Sequence, residues 1–252
     1  KRGEGQRSFP LFFFFFMSEM FTLPPRLAAI ADLAHPCDVL ADIGTDHALL
    51  PIFMNRSGKC RRAFACDVNQ GPLQRACSAV AKYGLEQSVS TVLSDGLHSV
   101  PEEYDVLVIA GMGGDLIARI LYEHPPVCAK KLILQPMTKP EVLRRFLFRH
   151  GYSIQRERAV SEGEKRYIIF SAVNLPVSDF NETDCHLPQN LDCTPDALDY
   201  LEKLLSSHQK RLLGLRRAEI ADQTAIDFES SLTETLKSLW QEISRRLYDE
   251  TH

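Results

Sequence analysis

Apolar and polar positions along the chain follow two regimes that change near residue 174. From residue 38 onward, short apolar runs alternate with stretches of helical periodicity, the pattern of a parallel sheet covered on both faces. The runs 38–43 (Asp-Val-Leu-Ala-Asp-Ile), 62–67, 89–94, 105–110 (Asp-Val-Leu-Val-Ile-Ala) and 131–135 predict five strands. Helices are predicted between them at 47–56, 71–83, 114–123 and 139–150, with one more at 24–35 ahead of the first strand. After Gly151, two extended runs, 152–159 and 166–173, flank Ser161-Glu162-Gly163-Glu164 and should pair as an antiparallel hairpin.

Residues 174–194, rich in Pro, Asn and Asp, read as a linker without periodicity. Beyond it Leu198, Leu201, Leu205, His208, Leu212 and Leu215 step by three and four, the a/d seam of a coiled coil. Thr194 is placed to cap this helix, with Pro195 at its first position. Leu232, Leu236, Leu239, Ile243 and Leu247 form a second stripe, so an antiparallel helical hairpin is expected over 195–252. His208 falls on the seam, where a partly exposed packing role is expected rather than ligation. The organisation predicted is a domain over 21–173, a linker over 174–194 and a helical unit over 195–252. Residues 1–20, with the run Phe12 to Phe16 ending at Met17 and a further Met20, read as an extension outside the folded chain.

Composition adds that the chain is globular: 44% hydrophobic and 25% charged, with no run long enough to span a bilayer. Seven cysteines, odd in number and without a Cys-x-x-Cys, argue for reduced thiols in a cytosolic protein and against a zinc site. The net charge of −4 is unevenly spread. Residues 21–173 carry 18 Lys/Arg against 16 Asp/Glu, and residues 174–252 carry 8 against 15. Any nucleic-acid contact must therefore be local, because the molecule has no overall cationic field. No metal site is expected, and a monomer is the simpler assembly.

The strand ends carry the chemistry. The first strand enters Gly44-Thr45-Asp46-His47 with one glycine, where a dinucleotide fold shows G-x-G-x-x-G to seat a pyrophosphate. Asp42 and Asp46 suit the cationic parts of S-adenosylmethionine (SAM), and the helix start after His47 suits its carboxylate. Alone, this could equally be a turn glycine with a capping aspartate. Asp67, followed by Val68, ends the second strand where a carboxylate can accept both ribose hydroxyls. Asp95, in Ser94-Asp95-Gly96, ends the third where one can accept the adenine amino group. Three acidic ends on one sheet edge favour SAM over NAD. The layout is then an α/β, Rossmann-like class I SAM-dependent methyltransferase fold, mostly parallel and seven-stranded, with a C-terminal helical hairpin. The fourth strand ends in Ala110-Gly111-Met112-Gly113-Gly114, whose glycines let backbone approach a ligand closely. A substrate-facing role is expected there, with a plain helix-entry loop as the alternative.

The strings Asp42-Ile-Gly-Thr-Asp-His47, Asp67-Val-Asn-Gln-Gly-Pro-Leu73, Asp95-Gly-Leu97, Ile109-Ala-Gly-Met-Gly-Gly114 and Leu132-Ile-Leu-Gln-Pro136 together resemble the TrmK-type bacterial tRNA methyltransferases. The resemblance covers about 24–250 and implies SAM as cofactor and tRNA as partner, with methylation of adenine N1 at position 22 of the D arm. Arg26, in Pro24-Pro25-Arg26-Leu27, resembles the family's early arginine beside the cofactor pocket. It implies a reaction needing alignment but no general base. The carbonyls around Ala110 and Gly111 are then expected to accept the adenine N6 hydrogens, with Met112 and Gly113 beside the base. Phosphate contacts are expected from Arg61 and Arg62, from Arg144 and Arg145 on the 139–150 helix, and from Lys210 and Arg211, the acidic face of the hairpin pointing away. Two other readings stay open: a SAM-dependent enzyme for a small molecule or another RNA position, and a non-catalytic RNA-binding protein on the same fold.

Overall fold

The computed structural model describes residues 22–218, 220 and 222–251. The Phe-rich segment expected to be an extension lies outside the described residues. Helix α1 (Pro25–Ala34) leads into β1 (Val39–Ile43), α2 (Leu49–Arg56), β2 (Arg62–Asp67), α3 (Gln70–Lys82) and β3 (Val89–Leu93). Then come β4 (Val106–Gly113), α4 (Gly114–Glu123), β5 (Lys131–Thr138), α5 (Pro140–Arg149), β6 (Tyr152–Glu162) and β7 (Lys165–Asn174). The chain continues with α6 (Glu182–His186), α7 (Pro195–Arg217) and α8 (Gln223–Thr251).

The strands form one sheet in the order β3-β2-β1-β4-β5-β7-β6. The first five are mutually parallel, and β7 runs antiparallel to both β5 and β6. Alternate residues of β1 feed opposite faces, as strand geometry requires. Leu40 packs with α1, α2 and α3, whereas Ala41 and Ile43 pack with α4 and α5. Crossovers leave β1, β2 and β3 at the same carboxyl edge, and this edge is where open parallel sheets bind ligands.

Several boundaries differ from the sequence pattern: β5 runs on to Thr138 and β6 to Glu162, and two further differences lie at the site. Helix α2 starts at Leu49 rather than 47, because His47 (φ 61°) and Ala48 (φ 51°) are left-handed and hold the preceding turn open. Strand β4 runs on through Gly113 instead of ending at Ala110, its register with β5 shifting around Met112. The glycines permit a bulged continuation that a strand-propensity reading discards.

The helical hairpin forms as expected, with the Thr194 hydroxyl accepting the Ala197 N–H at 3.2 Å. Leu201, Leu212, Leu232, Leu236 and Ile243 are buried. Helix α7 also lies against β6 and β7, and Ala197, Tyr200 and Leu201 join the sheet's own core. His208 is not a partly exposed packing residue. It is buried, its Nδ1 lying 2.8 Å from Glu229 Oε2 across the hairpin. The segment expected to be a linker without strong periodicity contains the short helix α6, started by an Asn181–Asp184 capping box. Further on it covers the edge strand β6: Glu157 N–H donates to Asn190 O at 3.1 Å, and Asp192 N–H to Glu157 O at 2.8 Å. An exposed strand edge is thereby closed off.

Candidate functional site

The carboxyl edge gathers Asp42 from β1, Gly44 just after it, Asp67 from β2, Asp95 after β3, residues 110–113 of β4 and Gln135 of β5. Arg26 reaches the same edge from the first turn of α1. The Gly44 and Thr45 N–H groups both donate to Cys66 O at 2.9 Å, tying the first loop to the end of β2. Gly44 adopts φ +79°, a left-handed conformation that favours glycine. A Cβ at Gly44 would also fall 2.2 Å from Met112 Cε, so the methionine side chain reaches across the cofactor-side turn.

Asp42 is buried, and burial pushes its carboxyl up to about 6; the nearby Thr45 hydroxyl and Arg26 charge pull it down, and Asp67 raises it. Asp67 is half-buried and accepts the Asn69 N–H at 2.7 Å, which ties it to the start of α3. Asp95 is exposed, with Ser94 N–H held by Asp67 O at 3.0 Å. Among the described residues, no lysine or arginine lies within ion-pair distance of Asp42, Asp67 or Asp95. Val68 (56% exposed) and Leu93 (48%) flank the aspartates and leave apolar surface open at the same edge. Asp46 departs from expectation: its carboxylate meets Arg75 at 3.1 Å and its neighbour His47 at 3.5 Å, so it faces α3 rather than the pocket.

A family profile described as a methyltransferase domain matches residues 23–170. A Streptococcus pneumoniae structure in complex with S-adenosyl-L-methionine superposes with a TM-score of 0.72 at 30% identity, covering 85% of this chain and 100% of that one. M. capricolum TrmK, solved with the cofactor product S-adenosylhomocysteine, gives 0.73 at 27% identity, over 89% and 100%. The tRNA (adenine(22)-N(1))-methyltransferase of Bacillus subtilis is 36% identical over 153 residues. That match spans 60% of this chain and 64% of the relative, just under two thirds of its length. The chain is a TrmK-type member of the methyltransferase-domain family.

The TrmK-type site fits a nucleoside carrying a sulfonium and an ammonium. Among the described residues its three carboxylates are in no ion pair, its glycine turn is covered by the Met112 side chain, and its apolar rim of Val68 and Leu93 can take a base. Gly96 lies in the turn after Asp95 at φ +56°, packed against the buried Ile120. Among the described residues no group of His, Cys, Asp and Glu could hold a metal, and no helix is long and apolar enough to cross a membrane.

The cations expected to meet RNA are scattered. Arg61 and Arg62 sit at the amino edge of the sheet, opposite the site. Arg61 is paired with Asp38 at 2.8 Å, and Arg62 with Glu103 at 3.2 Å. Arg144 is no phosphate contact at all: it is buried, with Nε 2.9 Å and Nη2 2.7 Å from the Glu157 carboxylate. Arg145 is largely covered and paired with Glu182, whose carboxyl it holds below the usual range. Lys210 is exposed, and Arg211, also exposed, lies 2.9 Å from Glu229. Sequence reasoning gave Gln135 no role of its own, although a polar residue closing the apolar run Leu132-Ile-Leu is a visible signal.

Proposed function

We propose that this protein transfers the methyl group of SAM to N1 of an adenine in tRNA, the adenine at position 22 of the D arm. The observation that carries the reading is an edge of three carboxylates, none of them ion-paired among the described residues, beside a strand end, residues 110–113, that offers backbone acceptors and no titratable side chain. SAM, when bound, supplies an electrophilic methyl on its sulfonium. Asp67 would hold the ribose hydroxyls, Asp95 and the apolar Val68 the adenine ring, and Asp42, Gly44 and Arg26 the methionyl end. Adenine N1 offers a lone pair without losing a proton, so the chain need only align it and exclude water. The carbonyls around Ala110 and Gly111 would accept the N6 hydrogens, and Met112, already across the Gly44 turn, would close the gap between the two reactants. Of the expected cations, the exposed Lys210 would meet phosphates, and Arg211 would do so by leaving Glu229.

Incubation with labelled SAM and total tRNA, followed by nucleoside mass spectrometry, tests the reading: 1-methyladenosine is expected, and its absence with folded protein defeats it. Met112→Ala should lower turnover about tenfold; undiminished turnover would remove Met112 from the site.

Asp42 sets the expected pH dependence. Because its folded value, about 6, lies above the ordinary 3.8, the folded chain keeps a proton that the unfolded chain has released between these values. Its contribution to stability therefore falls as pH rises through that window. A cationic ligand prefers the ionised carboxylate, so SAM affinity should weaken toward tenfold per pH unit below about 6. Calorimetry at a series of pH values checks this; an affinity that stays flat as the pH is lowered through that region contradicts it.

A further inference from the structure

We infer that Gln135 is a positioning residue that fixes the acceptor carbonyl of the site by capturing the backbone N–H of Gly111. The inference rests on the proposed adenine reading. In the β4–β5 ladder Ala110 faces Gln135 and Met112 faces Pro136, so Gly111 has no partner. Proline has no N–H, and the bulge leaves Gly111's own donor outside the ladder. That donor goes instead to Gln135 Oε1, at 3.1 Å. The same oxygen accepts Arg26 Nη1 at 2.9 Å, and Nε2 donates to Pro136 O at 3.0 Å. The carboxamide is fully buried, so each of these bonds replaces one to water.

The consequence follows from the peptide plane. With the Gly111 N–H turned toward Gln135, the trans peptide sends the Ala110 carbonyl the other way. Gly111 adopts φ +81°, a conformation that needs glycine and holds the bulge open. Gln135 thus ties three things to one oxygen: the orientation of the Ala110 carbonyl, the path of β4 into Met112, and the Arg26 guanidinium. Arg26 has a second support in the Tyr167 ring, 5.7 Å from its Cζ, which should hold it when the oxygen is removed.

Gln135→Met preserves length and burial but removes the acceptor, and Gln135→Glu keeps an acceptor oxygen for both donors but can replace the Nε2 donation to Pro136 O only when protonated. The test measures kcat for tRNA methylation, the Kd for S-adenosylhomocysteine and the thermal midpoint of each variant beside the wild type. Gln135→Met is expected to lower kcat about 30-fold with Kd changed less than about threefold, and Gln135→Glu to recover part of the loss. If Gln135→Met does not fold, Gln135→Asn, whose shorter side chain withdraws the oxygen, should show the same kcat loss. A wild-type-like kcat in the acceptor-free variant, or a loss that Gln135→Glu fails to recover, overturns the inference. A wild type that forms no 1-methyladenosine overturns the underlying reading instead, so the two failures are distinguishable.

Discussion

Arg144→Ala should destabilise the fold by about 3–5 kcal/mol, the cost of leaving one charge of a buried pair without its partner. The Arg144 side chain is 1% exposed and that of Glu157 0%, and the two meet through a pair of parallel hydrogen bonds. The guanidinium also donates to Cys185 O at 3.3 Å and lies 4.8 Å from the Phe170 ring centroid. Glu157 additionally accepts the Gln189 N–H at 2.8 Å, so one ion pair joins α5, β6, β7, α6 and the segment that covers the sheet edge. Removing the arginine strands the carboxylate against apolar neighbours. Replacing both partners, Arg144→Met with Glu157→Leu, should recover much of the loss, because no buried charge then remains unpaired. Denaturant unfolding measures both variants. A loss below about 1 kcal/mol for Arg144→Ala would mean that water reaches the pair. Affinity for tRNA per folded molecule should stay unchanged, which separates this structural role from the phosphate contact that the helix's basic face suggests.

Asp67→Ala should weaken SAM binding about 1000-fold, since a carboxylate accepting two hydroxyls makes two charge-assisted hydrogen bonds. It should also cost the fold about 1 kcal/mol, because its bond to the Asn69 N–H supports the start of α3. Asp67→Asn retains an acceptor and should fall between the two in affinity. Calorimetric titration with SAM reads the effect directly, and a change smaller than about fivefold would remove Asp67 from the ribose position.

Much of the sheet was legible because each parallel strand is buried on both faces and appears as an apolar run ending in a turn residue. Asp42, Asp67 and Asp95 were legible for the same reason: they stand where such runs stop. Arg61 and Arg62 were expected at phosphates although they begin a strand, and residues that begin a strand lie at the opposite edge from those that end one. What the pattern hid were the partners. Arg144 and Arg145 are neighbours on one helix, yet the first is buried and the second reaches Glu182. That difference depends on where Glu157 and the 181–192 segment fold back. Asp46 resembled a ligand group until α3 brought Arg75 to it. The bulge at Gly111 was hidden too, because an N–H satisfied by a distant side chain leaves no local trace beyond glycine itself.

The site is therefore an acidic sheet edge, with Arg26 as its cation, facing a backbone-lined strand end, and the activity proposed for it is methylation of tRNA at one position. The direct measurement compares two tRNA transcripts differing only in adenine or guanine at position 22, each incubated with the protein and labelled SAM. Label confined to the adenine transcript and recovered as 1-methyladenosine is the predicted result. Equal labelling of both, or label on neither, would contradict it.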